Sequence, residues 1–259
     1  MLATDMQAWN ATRLLTALAA GLAAGIMNAV GGGGSILTFP ALLWLGVPGK
    51  LASATNSFAV WPGTMTGAWG LRREIREAPQ RWWPWLFAAL GGSALGAWLL
   101  LLTRARWFIR LAPLLVMAAT LLLALQPALA RFARQTHRRG HLRAGVFFLA
   151  AIAVYGGYFG AGMGILLLAD LGFMGWSDLR ANIGVKNLLA LAIKSIAIVL
   201  YIARHMIVWP AALVLAAGTA LGGWGGAHLA RRLPQAWLRR ALIAIGILIT
   251  LKLLLDPVR

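Results

Sequence analysis

The chain of 259 residues is 61 % hydrophobic and only 12 % charged, and its mean hydropathy is +0.77. Soluble domains have roughly 45–50 % apolar and about 25 % charged residues, because water covers their surface. This composition excludes an ordinary soluble domain. It predicts an all-α, polytopic integral membrane protein whose surface mostly contacts lipid.

The charge is strongly unbalanced, with 24 Lys plus Arg against 6 Asp plus Glu and a net charge of +18. In a soluble protein such an excess indicates nucleic-acid binding. Here most cations are Arg in short gaps between apolar runs, as in the cytoplasmic loops of membrane proteins. We therefore expect membrane lipid, and not nucleic acid, as a partner. The sequence has no Cys, which excludes thiolate sites, and it predicts neither a metal nor a cofactor.

Ten apolar runs follow one another along the chain. They fall at 14–30, 35–47, 52–70, 82–103, 107–129, 144–161, 163–176, 181–203, 207–230 and 237–255. A spanning helix needs about 20 apolar residues. The runs at 35–47 and 163–176 are too short, and we expect broken or re-entrant segments there, shielded from lipid by protein.

The two short runs occupy matching places in an internal duplication. A shift of 129 residues places Gly31 and Gly33 on Gly160 and Gly162, and the short run at 35–47 near the one at 163–176. We therefore predict one membrane domain made of two repeats, residues 1–130 and 131–259. If every run crosses, five per half, the Arg-rich loops at 71–81, 131–143 and 231–240 share one side. If each short run only completes a broken crossing, four per half, the 231–240 cluster moves to the other side. The first count fits the positive-inside rule better, and its odd number of crossings makes the repeats inverted.

The densest motif of the chain is the glycine run before the first short segment. Four consecutive glycines, Gly31, Gly32, Gly33 and Gly34, are poor helix interior, whereas they let the backbone present free N–H groups. Ser35 then opens a short helix, and the positive end of a helix dipole attracts anions. The pattern is consistent with an anion cradle, with close helix packing alone, or with both.

At this point the chain resembles the sulfite exporter TauE/SafE family of membrane transporters. The resemblance rests on Gly31 to Gly34, Pro40, Gly46, Pro48 and the Ala52-Ser-Ala-Thr55 element, followed by a second copy of the unit. It implies transport of small sulfur-containing anions, such as sulfite, sulfoacetate or related organosulfonates, coupled to an ion gradient. The second copy departs from the pattern, because Gly160-Ala-Gly-Met-Gly164 replaces the glycine run.

Ionisable side chains inside apolar runs are costly and mark functional sites. Lys186 and Lys194 are eight residues apart in the 181–203 run, so they face similar directions, and two of the four lysines of the chain are therefore at membrane depth. Asp170 is a candidate coupling residue or a structural ion-pair partner for one lysine. His228 is a candidate proton relay or an ordinary buried histidine.

The predicted substrate-binding residues come from both halves of the chain. They are Gly31, Gly32, Gly33, Gly34, Ser35, Thr55, Asn56, Ser57, Gly162, Gly164, Asn182, Lys186, Asn187 and Lys194. We expect a small anion as substrate, a multi-pass location in a bacterial plasma or inner membrane, and a homo-oligomer as one possible assembly.

Two other functions fit parts of the pattern. A passive anion channel would carry current without coupling to an ion gradient. A membrane enzyme that acts on lipid-linked phosphate also uses duplicated short helices, but it needs paired carboxylates or a Ser/His/Arg group, and this chain offers Glu74 and Glu77 in a loop. We therefore predict no catalytic residues and favour transport.

Overall fold

The computed structural model describes residues 10–30, 33–77, 83–135, 142–174, 179–229 and 235–255. Within these ranges the secondary structure is helical and contains no strand. The helices of the described ranges are α1 (Ala11–Val30), α2 (Ser35–Trp44), α3 (Gly49–Gly70), α4 (Arg72–Glu77), α5 (Trp83–Leu102), α6 (Ala105–Gln135), α7 (Leu142–Tyr158), α8 (Met163–Phe173), α9 (Leu179–Ala203), α10 (Trp209–Leu229) and α11 (Gln235–Leu255).

The exterior of the helix bundle is apolar, as a lipid-facing surface requires. Among the largest exposed side chains are Leu255, Trp224, Phe87 and Phe147, each more than 70 % accessible. Among the described residues, four stretches are long and apolar enough to cross a bilayer: Ala11–Asn28, Pro84–Leu102, Ala105–Leu129 and Ala181–Ala203. The prediction of an all-α, multi-pass membrane protein is confirmed.

The two short segments form short helices, as predicted. α2 has 10 residues and α8 has 11. At 1.5 Å per residue they are about 15–17 Å long, roughly half of the hydrocarbon thickness. Their outer surfaces are covered by other helices, since α2 packs against α1 and α3 and α8 packs against α6, α7 and α9.

The structure differs from the predicted segments near the Arg-rich loops. The loop expected at 71–81 begins with the six-residue helix α4, and α6 runs for 31 residues to Gln135, past the expected end of its apolar run at 129. Arg has a high helix propensity, so helical geometry continues beyond the apolar part of the sequence. A helix of this length measures about 46 Å and exceeds the hydrocarbon layer.

Helices of the two halves pack in exchanged pairs. α1 of the first half packs on α10 of the second, and α7 of the second half packs on α5 of the first. The counterpart pairs α3–α9 and α6–α11 complete the contacts across the centre. The contacts thus join helices of the first half to helices of the second, and the internal duplication itself stays a prediction from the sequence.

Glycines allow the exchanged pairs to approach at backbone distance. A Cβ on Gly21 would lie 2.7 Å from the Leu215 carbonyl oxygen, and a Cβ on Gly218 would lie 2.9 Å from the Gly21 Cα atom. Gly92 has the same role between α5 and α7, where a Cβ would lie 2.6 Å from the Ala150 carbonyl oxygen. Small residues permit such contacts. In lipid, the close van der Waals packing that results drives helix association in place of hydrophobic burial.

Candidate functional site

A buried cavity lies where the two short helices begin. It is lined by residues of both halves of the chain and has a volume of about 30 Å³. The lining residues are Asn28, Gly33, Ser35, Thr64, Gly160, Gly162, Met163, Gly164, Lys186, Asn187, Ala190 and Lys194. We call this space the central cavity. A cavity of this size has room for only a few water molecules.

The loops that lead into the short helices have the same unusual backbone. Gly33 has φ +102° and Gly162 has φ +77°, a region that side chains with a Cβ rarely adopt. Both glycines line the central cavity, and α2 and α8 begin within two residues of them. The local sequence therefore turns each chain segment so that the positive end of a short helix faces the cavity.

Asn28 fixes the first of these loops to α1. Its Oδ1 atom accepts a hydrogen bond of 3.0 Å from the Gly34 backbone N–H. Gly34 itself is buried against α1, where a Cβ would overlap the Ala24 carbonyl oxygen. Gly34 is thus used for close packing, and Gly33 lines the cavity. The packing interpretation is supported, whereas anion binding by the glycine run stays a prediction.

The two lysines of α9 line the central cavity together. Lys186 is 3 % exposed and Lys194 is 4 % exposed. The Lys194 Nζ atom has no hydrogen-bond partner among the described residues. It lies beneath the loop before α8, since a Cβ on Gly160 would be 3.6 Å from it. A buried ammonium group is costly unless a partner or an opposite charge satisfies it.

Hydrogen bonds between helices hold the lysine-bearing helix in place. The Ser93 hydroxyl of α5 donates to the Ile193 carbonyl, next to Lys194, and the Trp61 Nε1–H of α3 donates to the Ser195 Oγ atom at 2.9 Å. The Tyr155 hydroxyl donates to the Ala161 carbonyl in the loop before α8. These bonds support α9 and this loop on both sides of the central cavity.

Asp170 does not pair with either lysine. It is buried on α8, and neither of its carboxylate oxygens has a hydrogen-bond partner among the described residues. It is also absent from the residues that line the central cavity. The ion pair that the sequence allowed as an alternative is therefore not formed in the described structure, and the positive charge of the lysines is not compensated in this way.

Four predicted site residues lie elsewhere. The Thr55 Oγ1 atom accepts a hydrogen bond from the Val208 N–H, the Asn56 Oδ1 atom accepts one from the Thr38 hydroxyl, and the Ser57 hydroxyl donates to the Ser53 carbonyl. Asn182 is buried on α9 but does not line the cavity. The first three side chains form hydrogen bonds within the helix framework, and the substrate-binding role of all four residues stays a prediction.

Three further predicted residues cannot be placed in the same way. Gly31 and Gly32 lie outside the described residues, and His228 belongs to α10 but its side chain lies outside the described part. Their proposed roles stay predictions. Across the described ranges, no group of three or more His, Cys, Asp or Glu side chains comes together to hold a metal ion.

Sequence reasoning missed Asn28 and Thr64, which both line the central cavity. Asn28 stands three residues before the glycine run, at the end of an apolar stretch where a polar amide is unusual. A polar amide at that position could have identified Asn28 as a candidate site residue from the sequence. Thr64 gave none, because a threonine in an apolar helix usually bonds its own backbone, and its hydroxyl does donate to the Val60 carbonyl at 2.9 Å.

Short helices from two halves of a membrane bundle, meeting at a buried polar cavity, define a polytopic transporter. The chain belongs to the sulfite exporter TauE/SafE family, which matches residues 17–253. A Haemophilus influenzae protein named a probable membrane transporter is 27 % identical over 91 % of this chain and 92 % of its own length. The probable membrane transporter YfcA of Escherichia coli K12 is 26 % identical over 90 % of this chain and 86 % of its own length. No solved structure gives a significant match.

Proposed function

We propose that the protein is a secondary transporter of small sulfur-containing anions, namely sulfite, sulfoacetate or related organosulfonates, and that these bind in the central cavity. The observation that carries the proposal is the buried Lys194 ammonium group, which has no partner among the described residues. Family membership supports membrane transport, and the cation-lined cavity supports an anionic substrate.

The cavity offers three kinds of group to the oxygens of an anion. Lys186 and Lys194 supply positive charge, Asn28, Ser35, Thr64 and Asn187 supply polar side chains, and the beginnings of α2 and α8 supply positive dipole ends. Oxyanions are stabilised by charged donors and by oriented N–H groups in a site that excludes water.

The narrowness of the central cavity favours a transporter over an open channel. A channel requires a continuous wet path, whereas this cavity has room for only a few water molecules. Binding of a sulfonate therefore requires the two halves to separate locally. Such movement of one repeat against the other around a central site is the usual mechanism of secondary transporters.

Transport in a reconstituted system tests the proposal. Proteoliposomes that contain the purified protein should take up radiolabelled sulfite or sulfoacetate, with uptake that depends on an imposed ion gradient, and Lys186→Ala should reduce it strongly. Uptake that follows the membrane potential alone, with ohmic conductance, would indicate the channel instead. If no sulfur anion moved under any gradient, the proposal would be wrong.

An Asn28→Asp substitution tests whether the cavity must be positive. The new carboxylate retains an acceptor for the Gly34 N–H but adds one negative charge to the lining of the cavity. We expect anion uptake to fall about tenfold or more, because about 1.4 kcal/mol corresponds to a factor of ten and a unit charge at short range in a buried site exceeds this. Initial uptake rates measure the effect.

Asn10→Asp is the matched control. The Asn10 side chain also accepts a hydrogen bond of 3.0 Å, from the Arg13 backbone N–H. Asn10 is exposed and stands just before α1, whereas Asn28 is near the other end of that helix. Its uptake should equal that of the unmodified protein. Equal uptake by Asn28→Asp, with an unchanged elution profile in detergent, would show that the anion does not pass near Asn28.

A further inference from the structure

The described lining of the central cavity carries two potential positive charges. Lys186 and Lys194 both line it, and the described lining includes no Asp or Glu. The other polar side chains there, Asn28, Ser35, Thr64 and Asn187, are neutral. The charge of the described lining therefore comes from the lysines.

Buried charge of this kind selects a ligand by its charge as well as by its shape. A monovalent anion can compensate one ammonium group and leaves the other uncompensated in a site of low dielectric. A divalent anion compensates both. Complementary charge across a binding site also discriminates against wrong partners more strongly than it raises affinity.

The spacing of the lysines adds a geometric preference. Their Cα atoms are eight residues apart on the continuous helix α9, which corresponds to about 12 Å along its axis. The ammonium groups therefore approach the cavity from two levels of the helix, with Lys194 beneath the loop before α8. Both side chains nevertheless line the same small cavity, so a short molecule with one anionic group at each end can contact both.

We infer that the central cavity prefers divalent anions with two separated anionic groups over monovalent or zwitterionic sulfonates. The preferred class is that of sulfonates that also carry one carboxylate. This inference rests on the proposed function, and it adds a charge rule that family membership does not supply.

Three sulfonates differ in net charge while they share the rest of their structure, so they test the effect of charge alone. Sulfoacetate, isethionate and taurine share a sulfonate on a two-carbon skeleton, and they end in a carboxylate, a hydroxyl and an ammonium group. At neutral pH they carry two, one and no net negative charges. Each is added in increasing concentration to proteoliposomes that take up radiolabelled sulfite, and the concentration that halves uptake is measured.

We expect sulfoacetate to halve uptake at a concentration about tenfold or more below that of isethionate, with taurine the weakest. Lys194→Gln removes one charge from the cavity and should abolish the advantage of sulfoacetate over isethionate. Lys194→Arg retains the charge and should retain the order of preference, even if affinity falls.

Lys252→Gln is the matched control, because Lys252 is exposed on α11 and does not line the central cavity. It should leave the order unchanged. Equal competition by sulfoacetate and isethionate in the unmodified protein would overturn the charge rule while sulfite transport stands. Absence of uptake of every sulfur anion tested, sulfite and sulfoacetate included, would overturn the proposed function itself. The competition assay on the unmodified protein tests the charge rule by itself. The inference can therefore be contradicted even if Lys194→Gln does not fold.

Discussion

Alanine at Gly96 is expected to prevent native packing of the bundle, whereas alanine at Gly91 of the same helix is expected to be tolerated. Gly96 faces α7, and a Cβ there would overlap the Val154 carbonyl oxygen. A Cβ added to Gly91 would meet no atom within 4 Å. Overpacking costs about 1–3 kcal/mol and more when rigid backbone is the neighbour, which approaches the whole stability of many proteins.

Unfolding in detergent measures the difference between these two variants. The free energy of unfolding should fall by about 3 kcal/mol or more for Gly96→Ala, and it should stay within about 1 kcal/mol of the unmodified value for Gly91→Ala. α10 supplies a second matched pair, because a Cβ on Gly222 would overlap the Leu22 carbonyl oxygen and one on Gly225 would meet nothing within 4 Å. Equal stability of Gly96→Ala and Gly91→Ala would contradict the close α5–α7 contact.

A second large effect is expected at Gly162, in the turn before α8. Its φ of +77° imposes about 1–2 kcal/mol on any residue with a Cβ, while the surrounding atoms leave room, with the Ala119 Cα atom 3.5 Å from a Cβ. Alanine there changes the turn that places the start of α8 at the central cavity. We expect a lower melting temperature and an uptake rate reduced about tenfold or more.

Gly46→Ala separates backbone strain from the loss of the site. Gly46 has a similar φ of +89° and open space around it, but it lies at the other end of α2 and does not line the central cavity. Its melting temperature should fall by a similar amount, and uptake per folded molecule should stay near that of the unmodified protein. Normal uptake by Gly162→Ala would mean that the turn does not shape the binding site.

Much of the fold follows from the sequence because lipid imposes simple constraints. Apolar runs of sufficient length predict helices, and a run such as 35–47 can only be a short helix when glycines precede it and Pro48 follows it. The extension of α6 to Gln135 and the helix α4 escaped prediction. Both lie among Arg residues, where hydropathy falls but helix propensity stays high.

The sequence predicts a site residue when the burial of its side chain in the membrane is energetically costly. It does not predict one when the outcome depends on the direction in which a small polar side chain points. Lys186 and Lys194 are expensive at membrane depth, and their spacing of eight residues places them on one face of α9. Thr55 and Ser57 carry cheap hydroxyl groups that a helix can satisfy by itself or by bonding a neighbour. The sequence does not show which way they turn, and in the structure Thr55 accepts from the Val208 N–H while Ser57 donates to the Ser53 carbonyl.

The exchanged helix pairs also constrain how the protein is made. The glycine face of α1, which packs on Gly218 and Gly222, has to wait for α10, a segment synthesised about 190 residues later. At about 5–20 residues per second, this delay is roughly 10 to 40 seconds. α1 must therefore stay in the membrane for that time with its close-packing surface uncovered, so early membrane intermediates need either lipid or a chaperone at this face.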